Sequence, residues 1–461
     1  MSYSNHFLSV QAAAFDNDFG QYGESLDWLA SIMHRSLAYQ YLYPEIWGCK
    51  QLFVEEEVLR DEDNRINVKV PKITWAFRPS LNTRERIFQR LRTRPFIRKE
   101  YTRALSNIIQ AVRSGNENIT VGDEDQSEEG FGEEEHADRT SVDLRAKRFR
   151  EEGPDVDDRE KKKQHLQDTR TSSDVGDEIM TIDCPSDEVP AKYPNPFLEY
   201  KESAPKVKGF IITGHPGIGK SIFLYYVLLL RLQASKPTIL VTHPEKVTVF
   251  LRRGVFSISM ADFEDVIQVI PATAWCLVDT SESLKTVPAA IYNTPFFVLQ
   301  ATAPKRKHLE WQNKVLGVHK YIMKPFSLSE LIIGRNRSLD VSQTLSEKSL
   351  QEYYHRYTPS ARFAYQHAGN LEKYATFVRC LVGRLTIDRL KMLVGELLTD
   401  VNSCGEQILY HILTITAEAG GQRSVPKVDV PSYYLSQLMT EQLQPSPAHP
   451  ATVGATTLEC C

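Results

Sequence analysis

The octapeptide GHPGIGKS, running from Gly214 to Ser221, has the residue types and spacing to grip a polyphosphate, and it fits the pattern GxxxxGK[ST]. Glycines at 214, 217 and 219 permit backbone angles that turn successive N–H groups inward, and a helix starting at the loop's end adds its positive terminus. Gly214, Gly217, Ile218, Gly219, Lys220, Ser221 and Ile222 are therefore the predicted nucleotide contacts. Lys220 brings a point charge to the β- and γ-phosphates. Ser221 brings a hydroxyl to Mg²⁺, a hard cation that prefers oxygen. The predicted ligands are ATP and Mg²⁺.

Such a loop works only between a buried strand and a helix. VKGFIIT, from Val207 to Thr213, reads as a buried parallel strand, and Ile222 to Leu232 as a helix that is apolar almost all round because other elements cover it. Its longest apolar stretch, Ile222 to Leu230, falls far short of the ~20 residues that cross a bilayer. PTILVT (Pro237–Thr242) reads as a second strand, and a helical segment near Asp262–Ile270 leads to a third, WCLVDT. That strand ends in Asp279, whose carboxylate would face Ser221 across the metal; the alternative is an Asp that merely caps a turn. Thr280 stands where many P-loop ATPases carry the Glu that orients water. Glu282 is the nearest substitute, or else a solvated loop carboxylate.

PFFVLQAT (Pro295–Thr302) should lie beside the P-loop strand, with Gln300 or Thr302 as a polar sensor near the γ-phosphate or Thr302 as a turn former. KPFSLSEL (Lys324–Leu331) predicts a helix capped by Ser327 or Ser329 with Glu330, the start of a helical lid. Arg335 and Arg362 are the lid arginines placed to reach the triphosphate; otherwise they are surface residues. Catalysis is thus assigned to Lys220, Asp279, Glu282 and Arg362, nucleotide contact also to Thr302, and metal contact to Ser221 and Asp279.

A chain of 461 residues has room for two or three domains. The predicted order is a separate, mainly helical N-terminal region (1–115), a disordered acidic linker (116–196), an α/β P-loop NTPase core with a mostly parallel sheet (197–335), a helical lid (336–440) and a disordered tail (441–461). In the first region Leu26–Tyr41 and Ile97–Arg113 read as helices, Ile66–Val70 and Ile73–Phe77 as short strands, and Asn82 with Glu85 as a helix start. Arg84, Arg86, Arg90, Arg92, Arg94, Arg98, Lys99, Arg103 and Arg113 make a basic segment that either neutralises nucleic-acid phosphates or forms a solvated face against the acidic linker. A net charge of −4 names no partner, so nucleic acid and protein both stay open. Seven cysteines lack paired spacing, and Asp16 and Asp18 interrupt any export-type start. An intracellular setting is expected. Lys147 and Arg148 with Lys161, Lys162 and Lys163 form either a bipartite nuclear import signal or an accidental charge pattern.

FIITGHPGIGKS, WCLVDT, FFVLQATAP followed by Trp311, KPFSLSEL, and YTPSARFAY around Arg362 together resemble the P-loop ATPase module of retrotransposon hot spot and Crinkler-type proteins. The resemblance spans about Val207 to Ala368. It implies nucleotide contact by Gly219, Lys220 and Ser221, metal contact by Asp279, a lid role for Arg362, nuclear activity and a link with DNA or mobile elements. Family members often carry a nuclease-like domain; after Gln366 this chain offers only helices such as Leu371–Val382 and Ile387–Leu398. Its N-terminal segment does not resemble the ubiquitin-like header of Crinkler proteins.

Overall fold

The computed structural model describes residues 34–35, 43–48, 53–59, 66–73, 97–114, 195–199, 205–280, 283–338, 345–357, 359–399, 409–418 and 423–443. All of them fall within one compact unit, Met1–Thr120 together with Lys192–Cys461. In chain order the strands are β1 (His34–Arg35), β2 (Phe53–Leu59), β3 (Ile66–Ile73), β4 (Gly209–Thr213), β5 (Thr238–His243), β6 (Lys246–Leu251), β7 (Gly254–Ser259), β8 (Trp275–Asp279), β9 (Phe297–Ala301), β10 (Val318–Ile322), β11 (Thr414–Ala417) and β12 (Pro426–Asp429). The longer helices are α1 (Lys99–Ser114), α2 (Lys220–Gln233), α3 (Leu328–Ser338), α4 (Glu347–Arg356), α5 (Ala361–His367), α6 (Leu371–Gly383), α7 (Ile387–Thr399) and α8 (Tyr433–Leu443).

The main sheet has eight strands in the order β1-β7-β6-β5-β8-β9-β4-β10. Its centre is parallel: β5, β8, β9, β4 and β10 are successive parallel neighbours. An antiparallel run of β6, β7 and β1 extends the β5 edge. β4, β8 and β9 are buried along their whole length, which explains why their sequences read as unbroken apolar runs. Because they run parallel, their C-terminal ends meet on one edge, where ligands bind in open α/β sheets.

Helix α2 buries twelve of its fourteen residues, among them Phe223, Leu224, Tyr225, Val227, Leu228 and Leu230. It lies on β8, β9 and β5 and is covered on another side by α1, with Tyr101 tilted against Phe223 and Tyr226 at ring distances of 5.7 and 6.1 Å. Ser327 and Glu330 form the predicted cap of α3 reciprocally: the Glu330 amide donates to Ser327 Oγ at 3.2 Å, and the Ser327 amide to Glu330 Oε2 at 3.0 Å.

Several expectations are corrected. Residues 97–114 are not part of a separate region, since α1 shares one hydrophobic core with the P-loop helix. His34 and Arg35, expected within a helix, pair as an edge strand with β7, so tertiary pairing overrides the local helical period there. The strand expected at Ile66–Val70 runs on to Ile73 as β3 and pairs with β2, while residues 74–77 of the second expected strand lie outside the described residues. The expected lid span is not wholly helical, because β11 and β12 pair as antiparallel strands within it. At the start of the core, Asn195 is already buried and donates to Leu230 O at 2.7 Å. The helix start at Asn82, the import-type basic clusters and nearly all of the acidic linker lie outside the described residues. No helix among the described residues is long and apolar enough to cross a membrane.

Candidate nucleotide site

The loop between β4 and α2 has the conformation its glycines were expected to permit. Gly214, Gly217 and Gly219 have φ of 134°, 80° and 91°, in the left-handed region that a side chain makes costly. Gly219 is also the N-cap of α2, so the loop delivers the helix N-terminus to the C-terminal edge of the sheet. Close approach adds a second requirement. A Cβ on Gly217 would fall 2.4 Å from Ser360 Oγ and 2.7 Å from Arg362 Cβ, and one on Gly219 would fall 2.1 Å from the Tyr101 hydroxyl.

Lys220 is buried, and its Nζ donates to the carbonyls of Gly214 at 2.9 Å and His215 at 2.8 Å. Burial, with the nearby Arg362 charge, pushes its pKa down to about 7 against the opposing pull of Asp279. Ser221 Oγ donates to Asp279 Oδ1 at 2.8 Å, and Tyr225 reaches Asp279 Oδ2 at 3.5 Å. β8 and α2 thus bring together the hydroxyl and the carboxylate assigned to the metal. Two hard oxygens facing each other suit Mg²⁺, which is held by one or two protein ligands plus phosphates. When bound it would supply positive charge to the phosphate oxygens. Among the described residues no group of three or more His, Cys, Asp or Glu could hold a metal.

Ile218 is fully buried, and its carbonyl accepts from Arg98 Nη1 at 2.9 Å. Ile222 stands half-buried in the first turn of α2. Thr302 follows β9 directly, and its amide donates to Ile212 O beside the loop. Its hydroxyl is 2.9 Å from His308 Nδ1, a neighbour the sequence reading did not anticipate. Burial, with the charges of Lys305 and Lys285, takes His308 down to about 4. Gln300 is fully buried in a structural network, accepting from Trp311 Nε1 at 2.6 Å and donating to His308 O at 2.8 Å.

Arg362 sits at the start of α5 against Gly217. Arg335 does not fit the lid role given to it: it is buried and paired with Glu347 at 3.3 Å. Glu282 lies outside the described residues. Arg98, expected either on phosphates or in solvent, does neither. It is buried on the Phe326 ring at 3.9 Å, bonded to Glu330 at 2.8 and 3.0 Å and to the Pro325 carbonyl at 2.7 Å.

Tyr101, Ser360 and His215 join the site beyond the residues expected from the sequence. Tyr101 donates to Gly219 O at 3.1 Å and Ser360 Oγ to Pro216 O at 3.0 Å, so the loop is held from both flanks. His215 is fully buried, edge-on to Tyr410 at 5.6 Å. Desolvation, with Lys220 and His411 nearby, takes it down to about 3. Helical spacing of Ile97, Tyr101, Leu105 and Ile108 could have flagged Tyr101 as core-facing, but nothing local ties it to the loop.

No protein-family model matches the chain, and no curated protein does. Two solved structures of the Thermotoga maritima RuvB Holliday junction branch migration motor, one of them a point variant, are similar over 37% of this chain and 56% of theirs. Identity is 11% and 12%, and the TM-scores are 0.23 and 0.24. At these scores the likeness decides nothing about activity.

Proposed function

We propose that the protein binds ATP with Mg²⁺ at Gly214–Ser221 and couples binding and hydrolysis to remodelling of a nucleic-acid or protein partner. One observation carries the nucleotide reading: left-handed backbone at all three loop glycines, with Ser221 and Asp279 2.8 Å apart beside them. In this reading the loop amides and the α2 N-terminus hold phosphate oxygens, and Lys220 leaves the Gly214 and His215 carbonyls for the β- and γ-phosphates. The motif resemblance to retrotransposon hot spot and Crinkler-type proteins supports a nuclear setting and a DNA link. Titration with MgATP of the native chain and of Lys220→Ala, with and without DNA, tests it. The native chain should bind and the variant should lose at least about tenfold in affinity, the scale of a lost charge-assisted contact. A folded native chain with no affinity would end the proposal.

A second reading, a nucleotide-gated binding module with little hydrolysis, is favoured by Thr280, which follows Asp279 and donates to the Ala301 carbonyl at 3.1 Å. A hydroxyl so engaged is a poor substitute for a water-orienting carboxylate. Single-turnover hydrolysis separates the two: phosphate release lost in Lys220→Ala supports the first, and tight binding without turnover the second.

A further inference from the structure

Beyond the phosphate loop, α5, α6 and His411 line an open cleft of about 640 Å³. Its walls carry five rings, Phe363, His367, Tyr374, Phe377 and His411. They lie close together: Phe363 stacks on His411 at 4.1 Å, His367 stacks on Tyr374 at 4.2 Å, and Phe377 meets His411 edge-on at 5.1 Å. Tyr374 and His411 are joined by a 2.8 Å bond between the phenol and Nδ1, which fixes both rings. The remaining lining is polar, with the amides of Gln366 and Asn370 and the ammonium of Lys373. Phe377 is 43% exposed, an aromatic ring left facing water where a core would have hidden it.

We infer that this cleft is a binding site for a nucleobase, separate from the phosphate loop. The volume lies within the range of about 300–1,000 Å³ typical of small-molecule sites. Rigid rings offer a stacking surface that any base can use, and the Gln366 carboxamide can pair with a purine edge in two directions at once, while the Asn370 oxygen caps α6 at 3.2 Å. Lys373 points to the same class. A cage for an organic cation would not carry an ammonium group in its wall, whereas the phosphate attached to a nucleotide is attracted to one. The base can belong to a free nucleoside or to an unstacked position of a single strand, since both present the same ring. Tyr374 and His411 also fill the role of a preformed site, because their mutual bond removes part of the ordering cost of binding.

The probe is 2-aminopurine, whose fluorescence falls when it stacks, offered to the full chain as the free riboside and inside a short single-stranded oligonucleotide. Quenching should saturate, persist in Lys220→Ala, and weaken about tenfold or more in Phe377→Ala, the scale of one lost stacking partner. Gln366→Ala, at an exposed position, should weaken it independently. Quenching by the riboside assigns the site to free nucleosides, and quenching by the oligonucleotide alone assigns it to strands. No saturable quenching with either probe overturns the inference. So does quenching that disappears in Lys220→Ala yet survives in Phe377→Ala and Gln366→Ala, because the base would then be bound at the phosphate loop.

Discussion

Lys220 is an amine held where a cation is costly, and that sets how binding should respond to pH. Its pKa in the free protein is about 7, with burial the largest cause. Polyphosphate oxygens beside Nζ would restore the charged form. Between about pH 7 and the ordinary lysine value of ~10.4 the complex then holds a proton that the free protein lacks, so binding takes one up and affinity falls as pH rises, by at most about tenfold per pH unit. Calorimetry at pH 8 in buffers of different ionisation enthalpy should show that uptake, and its absence would mean Lys220 is already charged before binding. Gly219→Ala tests the loop itself. The added methyl meets both a left-handed φ and the Tyr101 hydroxyl, so nucleotide affinity should drop by well over tenfold, and Tyr101→Phe in the same chain should recover only part because the backbone cost stays.

Among the elements, α1 has the least expected role. Two polar clamps fix it to the far end of the sheet. Arg98 holds Glu330 and the Ile218 carbonyl, and the buried Glu100 accepts from the Lys324 amide at 2.9 Å and Arg423 at 2.7 Å. Removing one partner of a buried pair typically costs about 3–5 kcal/mol. Arg98→Ala should therefore lower the unfolding free energy obtained from urea denaturation by an amount in that range, with α1 still helical by circular dichroism; a loss below about 1 kcal/mol would show that the clamp matters little. Local signals carried most of what the sequence revealed. The glycine loop, the apolar strands ending at Thr213 and Asp279, and the Ser327–Glu330 cap each follow from residues within a few positions of one another. The clamps do not, because Arg98 and Glu330 are 232 residues apart and nothing near either marks the other. The β6–β7 hairpin is legible in the sequence, where KVTVFL and GVFSIS flank Arg252 and Arg253 as a strand–turn–strand pattern. The aromatic cleft is not, since its rings come from segments that only tertiary packing joins.

For the molecule as a whole, four buried or half-buried histidines share one electrostatic consequence. His215 is lowered to about 3, His308 and His411 to about 4, and His367 is lowered as well, with desolvation the first cause in every case. Unfolded, each would titrate near 6.5, so the unfolded chain binds more protons below that value. The stability these groups contribute is present above about pH 6.5 and is lost as pH falls toward 4 and 3. Melting temperature should fall steeply across that window, and His308→Gln should flatten the slope; an unchanged slope would mean that carboxylates alone set it. The phosphate loop, meanwhile, is gripped by Tyr101 from 118 residues before Gly219 and by Ser360 from 144 residues after Pro216. On the proposed nucleotide reading, the loop is bracketed by two distant stretches of chain, and we expect one of them to part before a triphosphate settles. In rapid mixing, the observed association rate should level off at high ATP concentration instead of climbing in proportion, because the breathing of the fold becomes the slowest event. Ser360→Ala, by loosening one side, should raise that ceiling.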